Sequence, residues 1–259
     1  MHSILNEIIA EKKKTVETSK AELPLEEIRK ILGTSYKPRD FRKAVGGAGK
    51  IKIIAEIKKA SPSAGVILAD FDPAVIAREY EKGGASAISV LTEEKYFQGK
   101  PSYIAVVRKN CGLPVLRKDF IVDRYQVAES AYLGADALLL IAAALEKQEL
   151  KNMVSEARSI GIECLVEIHD ENDLEKAVDA DAGIIGINNR NLDDFSVDLK
   201  TSERIIPKIP AGKLIIIESG IKTKDDIKRY SLSGVRAFLI GESVMRSGDR
   251  ASAVKELMR

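Results

Sequence analysis

The sequence contains no tryptophan, two cysteines and two histidines. Cys111 and Cys164 cannot by themselves build a disulfide framework or a tetrahedral zinc site. His2 and His169 are too few for a histidine-based metal site, so no metal is expected. No apolar run approaches the ~20 residues that a membrane helix requires. The N-terminal segment carries acids among its lysines, unlike a signal peptide, so we expect a cytoplasmic protein.

An excess of charge of one sign is also missing, since 41 Lys and Arg residues against 39 Asp and Glu residues leave a net charge of +2. This balance gives no reason to expect nucleic acid or a membrane surface as a partner. Any positively charged site must therefore be local. The length of 259 residues fits two small domains or one large domain of barrel type.

The sequence pattern changes near residue 50. Before it, apolar residues recur at three- and four-residue spacing, so residues 1–50 are predicted to form an N-terminal helical extension. After it come eight short runs rich in Val, Ile and Leu, at residues 51–58, 86–92, 114–120, 136–143, 162–168, 182–189, 213–220 and 235–242. Amphipathic segments between the runs predict helices, among them residues 72–84, 123–134, 147–161 and 225–234.

Apolar runs of this kind predict parallel strands that are buried on both faces. Eight strand–helix repeats favour a closed (β/α)8 (TIM) barrel, in the α/β class, with residues 1–259 as a single domain. The alternative is an open doubly wound sheet, which usually has fewer strands and a glycine fingerprint after the first strand. Here the first strand runs into EIKKASPSAG instead, which favours the barrel.

The segment GGAGK at residues 46–50 resembles a phosphate-binding loop. However, Ile51 stands where Ser or Thr should hold magnesium, and the segment precedes the first strand instead of following one. We therefore interpret it as a flexible linker between the helical extension and the barrel.

Polar side chains concentrate where the predicted strands end, which is where (β/α)8 barrels build their active sites. These residues are Glu56, Lys58, Lys118, Glu167, Asn188, Arg190, Glu218 and Ser219. Buried charges at this density are costly unless paired, so perturbed pKa values are expected. The alternative is that they are salt bridges or solvated strand ends. Six charged residues at the same end of different strands favour an active site.

The seventh and eighth predicted strands end in Ser219-Gly220 and Gly241-Glu242, where small residues occur. They leave backbone N–H groups accessible, and phosphate binding at this place recurs among barrels. The alternative is that each glycine only makes a turn. The two pairs together favour a phosphate site.

Apolar residues near other strand ends could form a wall for an aromatic substrate. They are Pro62, Phe120, Leu139, Ile141 and Leu192. The alternative for these side chains is ordinary core packing. His169 follows the fifth strand without an evident partner, and we interpret it as a helix-start or surface histidine.

The chain resembles the indole-3-glycerol-phosphate synthase family over nearly its whole length. The matching stretches include IIAEIKKASPSAG, LPVLRKDFIVDRYQVAES, LVEIHDENDLEKA, IGINNRNLDDFSVDL and IIIESGIKTKDDI. The resemblance implies a tryptophan-biosynthetic enzyme acting on 1-(2-carboxyphenylamino)-1-deoxyribulose 5-phosphate. Ring closure, decarboxylation and dehydration proceed by acid–base chemistry without a redox change, so no cofactor is expected.

The same resemblance implies roles for individual residues. Lys118 matches the family's general acid and Glu167 its general base. The other matching catalytic positions are Glu56, Lys58, Asn188, Glu218 and Ser219, and Arg190 matches a further site residue. The phosphate-binding positions, largely backbone N–H groups, match Ser61, Ser219, Gly220, Gly241 and Glu242.

Two departures from the family pattern stand out. Family members can carry Ser or Thr where this chain has Glu242, whose carboxylate would repel a phosphate. We therefore expect only the backbone of Glu242 to take part. Because the chain has no tryptophan, an N-terminal aromatic contact with the substrate must differ or be absent.

The two lysines are expected to play different parts. Lys118 lies between Leu116 and Phe120 on its face of the strand, so desolvation should lower its pKa and make it a better proton donor. Lys58 shares a face with Glu56, which should keep it charged and suited to binding the substrate carboxylate.

Two other functions remain open from the sequence. One is a different phosphate-binding barrel, such as a sugar-phosphate isomerase or an aldolase that forms a Schiff base at Lys118. The other is an inert barrel that serves as a binding or assembly subunit. The expected partner is a phosphorylated small molecule, and the chain is expected to be a monomer or a weak homodimer.

Overall fold

The computed structural model describes residues 4–47, 49–192 and 194–259. His2 and Ala48 of the GGAGK segment lie outside these ranges. Within these ranges three helices precede the first strand, namely α1 (Ile4–Glu22), α2 (Leu25–Ser35) and α3 (Phe41–Val45). The helical pattern of the N-terminal extension is confirmed for α1 and α2. The sequence does not predict α3, because five residues are too few to show a helical period.

Eight parallel strands close into a barrel within the described residues. They are β1 (Lys52–Ile57), β2 (Ala87–Leu91), β3 (Val115–Lys118), β4 (Ala137–Ile141), β5 (Glu163–Ile168), β6 (Ile184–Asn188), β7 (Leu214–Glu218) and β8 (Ala237–Ile240). Lys52 pairs with Ala237, which joins β1 to β8 and closes the ring. The predicted (β/α)8 barrel is therefore confirmed, and the open doubly wound sheet is excluded.

Helices follow the strands on the outside of the barrel. They are α4 (Pro73–Lys82), α5 (Tyr103–Asn110), α6 (Arg124–Tyr132), α7 (Lys147–Ile160), α8 (Glu171–Asp179), α9 (Lys200–Ile205), α10 (Lys224–Ser231), α11 (Glu242–Met245) and α12 (Arg250–Leu257). Several begin at a side chain that accepts a backbone N–H, as Asp72, Asp170 and Thr223 do. A short hairpin (Ala60–Ser61 with Gly65–Val66) follows β1. No described helix is long and apolar enough to cross a membrane.

Alternation along each strand divides the core into two parts. In β1, Ile53, Ala55 and Ile57 pack in the layer between strands and helices, whereas Ile54 packs inside the barrel. The interior cluster likewise contains Leu116 of β3, Leu165 of β5 and Ile216 of β7. Because side chains two apart share a face, the residue two positions after each of these four also points inward.

Helix α1 is tied to the end of β3 by a buried ion pair. Lys12 Nζ lies 2.7 Å from Asp119 Oδ1, and the two side chains are 10% and 0% exposed. Asp119 Oδ2 also accepts from Thr92 Oγ1 at 2.6 Å and from Arg117 Nη2 at 3.2 Å. The N-terminal extension therefore contacts the residue that directly follows Lys118, a contact that helical periodicity could not indicate.

Candidate active site

A cavity of about 730 Å³ opens at the C-terminal ends of the barrel strands. Every site residue predicted from the sequence lies on its wall. These are Glu56, Lys58, Ser61, Pro62, Lys118, Phe120, Leu139, Ile141, Glu167, Asn188, Arg190, Leu192, Glu218, Ser219, Gly220, Gly241 and Glu242. Residues far apart in the sequence meet here because parallel strands of a closed barrel end at one rim.

Four charged residues form one layer at this rim. Each lies two positions after an interior residue of an odd-numbered strand, and they are Glu56, Lys118, Glu167 and Glu218. Alternate strands supply the side chains of one layer in a (β/α)8 barrel, which explains why these four converge. The carboxyl-bearing side chains of Glu167 and Glu218 are each 2% exposed, so the layer is almost dry.

Lys118 stands between two carboxylates of this layer. Its Nζ donates to Glu167 Oε2 at 2.7 Å and to Glu218 Oε2 at 3.0 Å. Burial alone would lower the pKa of Lys118, but the carboxylates of Glu167, Glu218 and Glu56 outweigh burial and raise that pKa above its ordinary value. Lys118 is therefore held in the charged form.

The expectation that desolvation lowers the pKa of Lys118 is wrong. It rests on Leu116 and Phe120, the neighbours of Lys118 along its own strand. The acids that decide the outcome come from β5, β7 and β1, and their arrival depends on closure of the barrel.

The two carboxylates that share Lys118 have pKa values shifted in opposite directions. Burial raises the pKa of Glu167, but Lys118 and His169 outweigh it and hold that pKa below its ordinary value. Burial raises the pKa of Glu218 and prevails over Lys118, because the carboxylates of Glu167 and Glu56 add to it. Glu167 is thus the anionic partner, and Glu218 is the carboxyl group better able to carry a proton.

Glu218 fits the barrel because Gly186, the β6 residue that lies beside its carboxylate, has no side chain. A Cβ atom at Gly186 would overlap Glu218 Oε1 and approach Leu165 Cδ1. Sequence analysis did not single out Gly186, since a glycine inside a strand shows no partner until the strands are paired. Glu218 Oε1 itself is buried and has no hydrogen bond among the described residues.

Glu56 and Lys58 form a pair at the end of β1. Lys58 Nζ donates to Glu56 Oε1 at 2.5 Å, and the two side chains are 17% and 6% exposed. The expected Glu56–Lys58 pairing is therefore confirmed. A Cβ atom at Gly241 would overlap the Glu56 carboxylate, so this glycine leaves room for Glu56 as well as exposing its own backbone.

Asn188 and Arg190 shape the loop after β6. The backbone N–H of Arg190 donates to Asn188 Oδ1 at 3.0 Å. The Arg190 guanidinium donates to the carbonyl of Phe195 at 2.9 Å through Nη1. Arg190 therefore lines the cavity, and the carbonyl of Phe195 in the same loop holds its guanidinium in place.

The proposed phosphate corner lies between the ends of β7 and β8. Ser219 and Gly220 both have positive φ, 64° and 80°, which turns the chain sharply there. The Glu242 carboxylate accepts from Arg246 Nε at 3.1 Å and is thereby partly neutralised. Ser243 Oγ lines the cavity, is buried and makes no hydrogen bond within the described residues. Sequence analysis missed Ser243 and Arg246, whose only signal is their closeness to Gly241 in the chain.

Apolar side chains complete the cavity wall. The Phe120 and Phe97 rings lie with centroids 6.2 Å apart, and Leu139 and Ile141 of β4 add an aliphatic surface. Helix α1 contributes Ile4, Leu5 and Ile8, which sequence analysis did not place at the site. Aliphatic residues therefore occupy the N-terminal side of the cavity in this chain without tryptophan.

His169 is not a surface residue. Its side chain is 17% exposed, with Nε2 3.4 Å from Glu167 Oε1 and Nδ1 3.4 Å from Asp173 Oδ2. The helix-start interpretation does hold, because α8 begins at Glu171. No cluster of three or more His, Cys, Asp or Glu residues suited to a metal ion occurs in the described part of the chain.

The closed barrel, with its acid–base layer and its small-residue corner at the C-terminal rim, has the architecture of a (β/α)8-barrel enzyme. The family model for indole-3-glycerol phosphate synthase matches residues 5–257. The indole-3-glycerol phosphate synthase of Campylobacter fetus is 52% identical over 254 residues, covering 98% of both chains. That of Acetivibrio thermocellus is 46% identical over 255 residues, also with 98% of each chain covered. The chain belongs to the indole-3-glycerol phosphate synthase family.

Solved structures with low sequence identity share the fold. The 3-hexulose-6-phosphate synthase of Salmonella typhimurium superposes with a TM-score of 0.65 at 14% identity, covering 80% of this chain and 96% of that one. KGPDC from Streptococcus mutans gives 0.63 at 14% identity, covering 81% and 96%. At this identity the likeness concerns the barrel alone.

Proposed function

We propose that this chain converts 1-(2-carboxyphenylamino)-1-deoxyribulose 5-phosphate to indole-3-glycerol phosphate, as a carboxy-lyase of tryptophan biosynthesis. The observation that carries the proposal is the buried layer in which Lys118 bridges Glu167 and Glu218. Such a layer supplies a charged proton donor, an anionic base and a second carboxyl group within one cavity. The full-length family match supports the same reaction.

The reaction needs each of these groups in turn. Ring closure joins the aromatic carbon that bears the carboxylate to the ketone carbon, and the ketone oxygen takes up a proton. Lys118 is the charged group proposed to stabilise and protonate that oxygen. Carbon dioxide then leaves, and its bonding electrons restore the aromatic ring.

Dehydration completes the indole. The new hydroxyl leaves as water after protonation, and a proton leaves the neighbouring CH₂ group. Glu167, the carboxylate with the lowered pKa, is the proposed base for that proton. Glu218, whose pKa is raised, is the carboxyl group suited to return a proton to the departing hydroxyl.

Binding is proposed to divide among three parts of the cavity. Lys58 and Arg190 are the cations for the substrate carboxylate. The turn at Ser219 and Gly220, with Ser61, Gly241 and the Glu242 backbone, holds the phosphate. The aromatic ring lies against the apolar wall of Pro62, Phe120, Leu139, Ile141 and Leu192.

Indole formation followed by fluorescence tests the proposal. Glu167→Gln should lower kcat by roughly 10²–10⁴, the usual contribution of general acid–base catalysis. Glu163→Gln is the matched control, because Glu163 begins the same strand at the opposite end of the barrel, and it should leave kcat unchanged. Near-normal turnover of Glu167→Gln would exclude its role as the base.

The two lysines are separated by steady-state kinetics. Lys118→Met should mainly lower kcat, whereas Lys58→Met should also raise KM substantially, because Lys58 is proposed to bind the substrate carboxylate. If Lys58→Met abolishes kcat while Lys118→Met changes only KM, the two roles must be exchanged. The raised pKa of Lys118 disfavours a Schiff-base aldolase, since its amine would have to be neutral to attack a carbonyl.

Further points are proposed from the near-neutral composition, the absence of any redox step and the single barrel pattern. The chain works without a cofactor, in the cytoplasm, and without nucleic acid or membrane as a partner. It is a monomer or a weak homodimer, and residues 1–259 form one domain.

A further inference from the structure

His169 directly follows β5 and takes no part in the chemistry described above. Its two ring nitrogens face two carboxylates, Glu167 on one side and Asp173 on the other, each at 3.4 Å. Neither nitrogen makes a hydrogen bond within the described part of the chain. An imidazole whose buried nitrogens both face carboxylates is placed to be a cation.

Asp173 is itself fixed at the start of α8. Its Oδ2 accepts the backbone N–H of His169 at 3.1 Å, while its own backbone N–H donates to Asp170 Oδ1 at 2.9 Å. Asp173 is only 5% exposed. The helix start therefore holds the backbone of His169 and brings the Asp173 carboxylate to within 3.4 Å of its ring.

The two oxygens of Glu167 face different cationic groups. Oε2 accepts from Lys118 Nζ at 2.7 Å, and Oε1 lies 3.4 Å from His169 Nε2. The proposed reaction neutralises Lys118 when it gives its proton to the ketone oxygen. At that moment the ion pair that keeps Glu167 ionised is lost, and a second cation is needed to keep the base in its active form.

We propose that His169 is a positioning residue that holds Glu167 Oε1 and supplies this second positive charge. The proposal rests on the proposed role of Glu167 as the base. It does not make His169 a catalytic residue, because the ring reaches the substrate only through Glu167.

The electrostatic surroundings agree with this role. Burial by itself lowers the pKa of His169, but Asp173 from α8, Glu167 from β5 and Glu218 from β7 outweigh burial and raise it above its ordinary value. Lys118 from β3 is the cation on the far side of Glu167 and opposes this effect. Conversely, His169 contributes to the lowered pKa of Glu167.

The scarcity of histidine provides a direct test. His2 and His169 are the two histidines of the chain, so His2→Gln leaves one imidazole to follow by NMR. In that background the pKa of His169 should lie above 6.5 and should fall by about one pH unit when Glu167→Gln is added, because a facing negative charge is lost. Glu163→Gln, the control on the same strand, should leave the His169 pKa unchanged. A pKa that Glu167→Gln does not alter would overturn the proposal.

Kinetics supply the second test. His169→Leu removes a positive charge beside Glu167, so the pKa of Glu167 should rise and the acid limb of kcat/KM should move to higher pH. His169→Asn keeps an N–H donor without the charge. Compared with His169→Leu, it should restore part of kcat, while the acid limb of kcat/KM should stay at higher pH than in the wild type. A wild-type acid limb in folded His169→Leu would also refute the proposal. The NMR titration needs no substrate, so a failure of the proposed enzymatic function is distinguishable from a failure of this coupling.

Discussion

Replacing Glu218 by glutamine is expected to stabilise the fold while it lowers turnover. Three carboxylates contact two ammonium groups at the rim, namely Glu56, Glu167 and Glu218 against Lys58 and Lys118. Among these five side chains one negative charge is in excess, and the His169 cation beyond them faces Glu167 and not Glu218. Glu218 bears the free-energy cost of this excess charge. Its pKa is raised, and its buried Oε1 makes no hydrogen bond within the described residues.

The size of the effect follows from the cost of a buried oxygen that lacks a hydrogen-bond partner, here Glu218 Oε1, about 1–3 kcal/mol. In a chain of this size 1 kcal/mol moves Tm by about 2–4 °C, so Glu218→Gln should raise Tm by about 2–12 °C. The gain depends on pH in a defined direction. Because the folded-state pKa of Glu218 lies above its unfolded value of 4.5, ionised Glu218 destabilises the fold increasingly as the pH rises from the unfolded pKa through the folded one.

Urea unfolding at about pH 8 and about pH 5 measures this difference. Glu218→Gln should exceed the wild type most at the higher pH, and the advantage should shrink at the lower pH, where Glu218 is protonated in the folded state. Glu163→Gln serves as the control for a Glu-to-Gln change, because Glu163 begins β5 at the end of the barrel opposite the cavity. The account would be contradicted if Glu218→Gln were less stable than the wild type at pH 8. It would also be contradicted if the stability difference between variant and wild type were the same at both pH values.

Two further variants test residues that hold the site in place. Lys12→Met should lower the free energy of unfolding by about 3 kcal/mol, because it leaves the fully buried Asp119 without one of its cations; urea unfolding measures the loss. Gly241→Ala should lower kcat at least tenfold, about 1.4 kcal/mol, because its Cβ would displace the Glu56 carboxylate from the rim; steady-state turnover measures it.

Each of these variants has a matched control. Lys14 lies on the same helix as Lys12 with its side chain 79% exposed, so Lys14→Met should change stability by less than about 0.5 kcal/mol. Gly248 has nothing within 4 Å of an added Cβ atom, so Gly248→Ala should leave kcat unaltered. If Lys12→Met and Lys14→Met changed stability equally, the buried ion pair would not contribute to stability. If Gly241→Ala and Gly248→Ala changed kcat equally, the close contact at Gly241 would not matter for turnover.

The sequence by itself determined where the strands run and that polar residues collect at one end of them. A strand buried on both faces has to be apolar along its whole length, so eight runs of Val, Ile and Leu mark the eight strands. Polar residues at the end of such a run interrupt it visibly, which is why Glu56, Lys118, Glu167 and Glu218 could be picked out and placed at one rim. The roles proposed for these residues stay predictions that kinetics will test.

Only the tertiary structure decided which of these groups touch and which charge each one carries. The pKa of Lys118 is raised because acids arrive from three other strands, and spacing along one strand says nothing about them. Gly186 has no partner until β6 and β7 are packed together, when it makes room for Glu218. The pairing of Lys12 with Asp119 likewise depends on where the N-terminal helix docks. Local periodicity reports the burial of one face, whereas pKa values and ion pairs depend on distances between segments that chain spacing does not constrain.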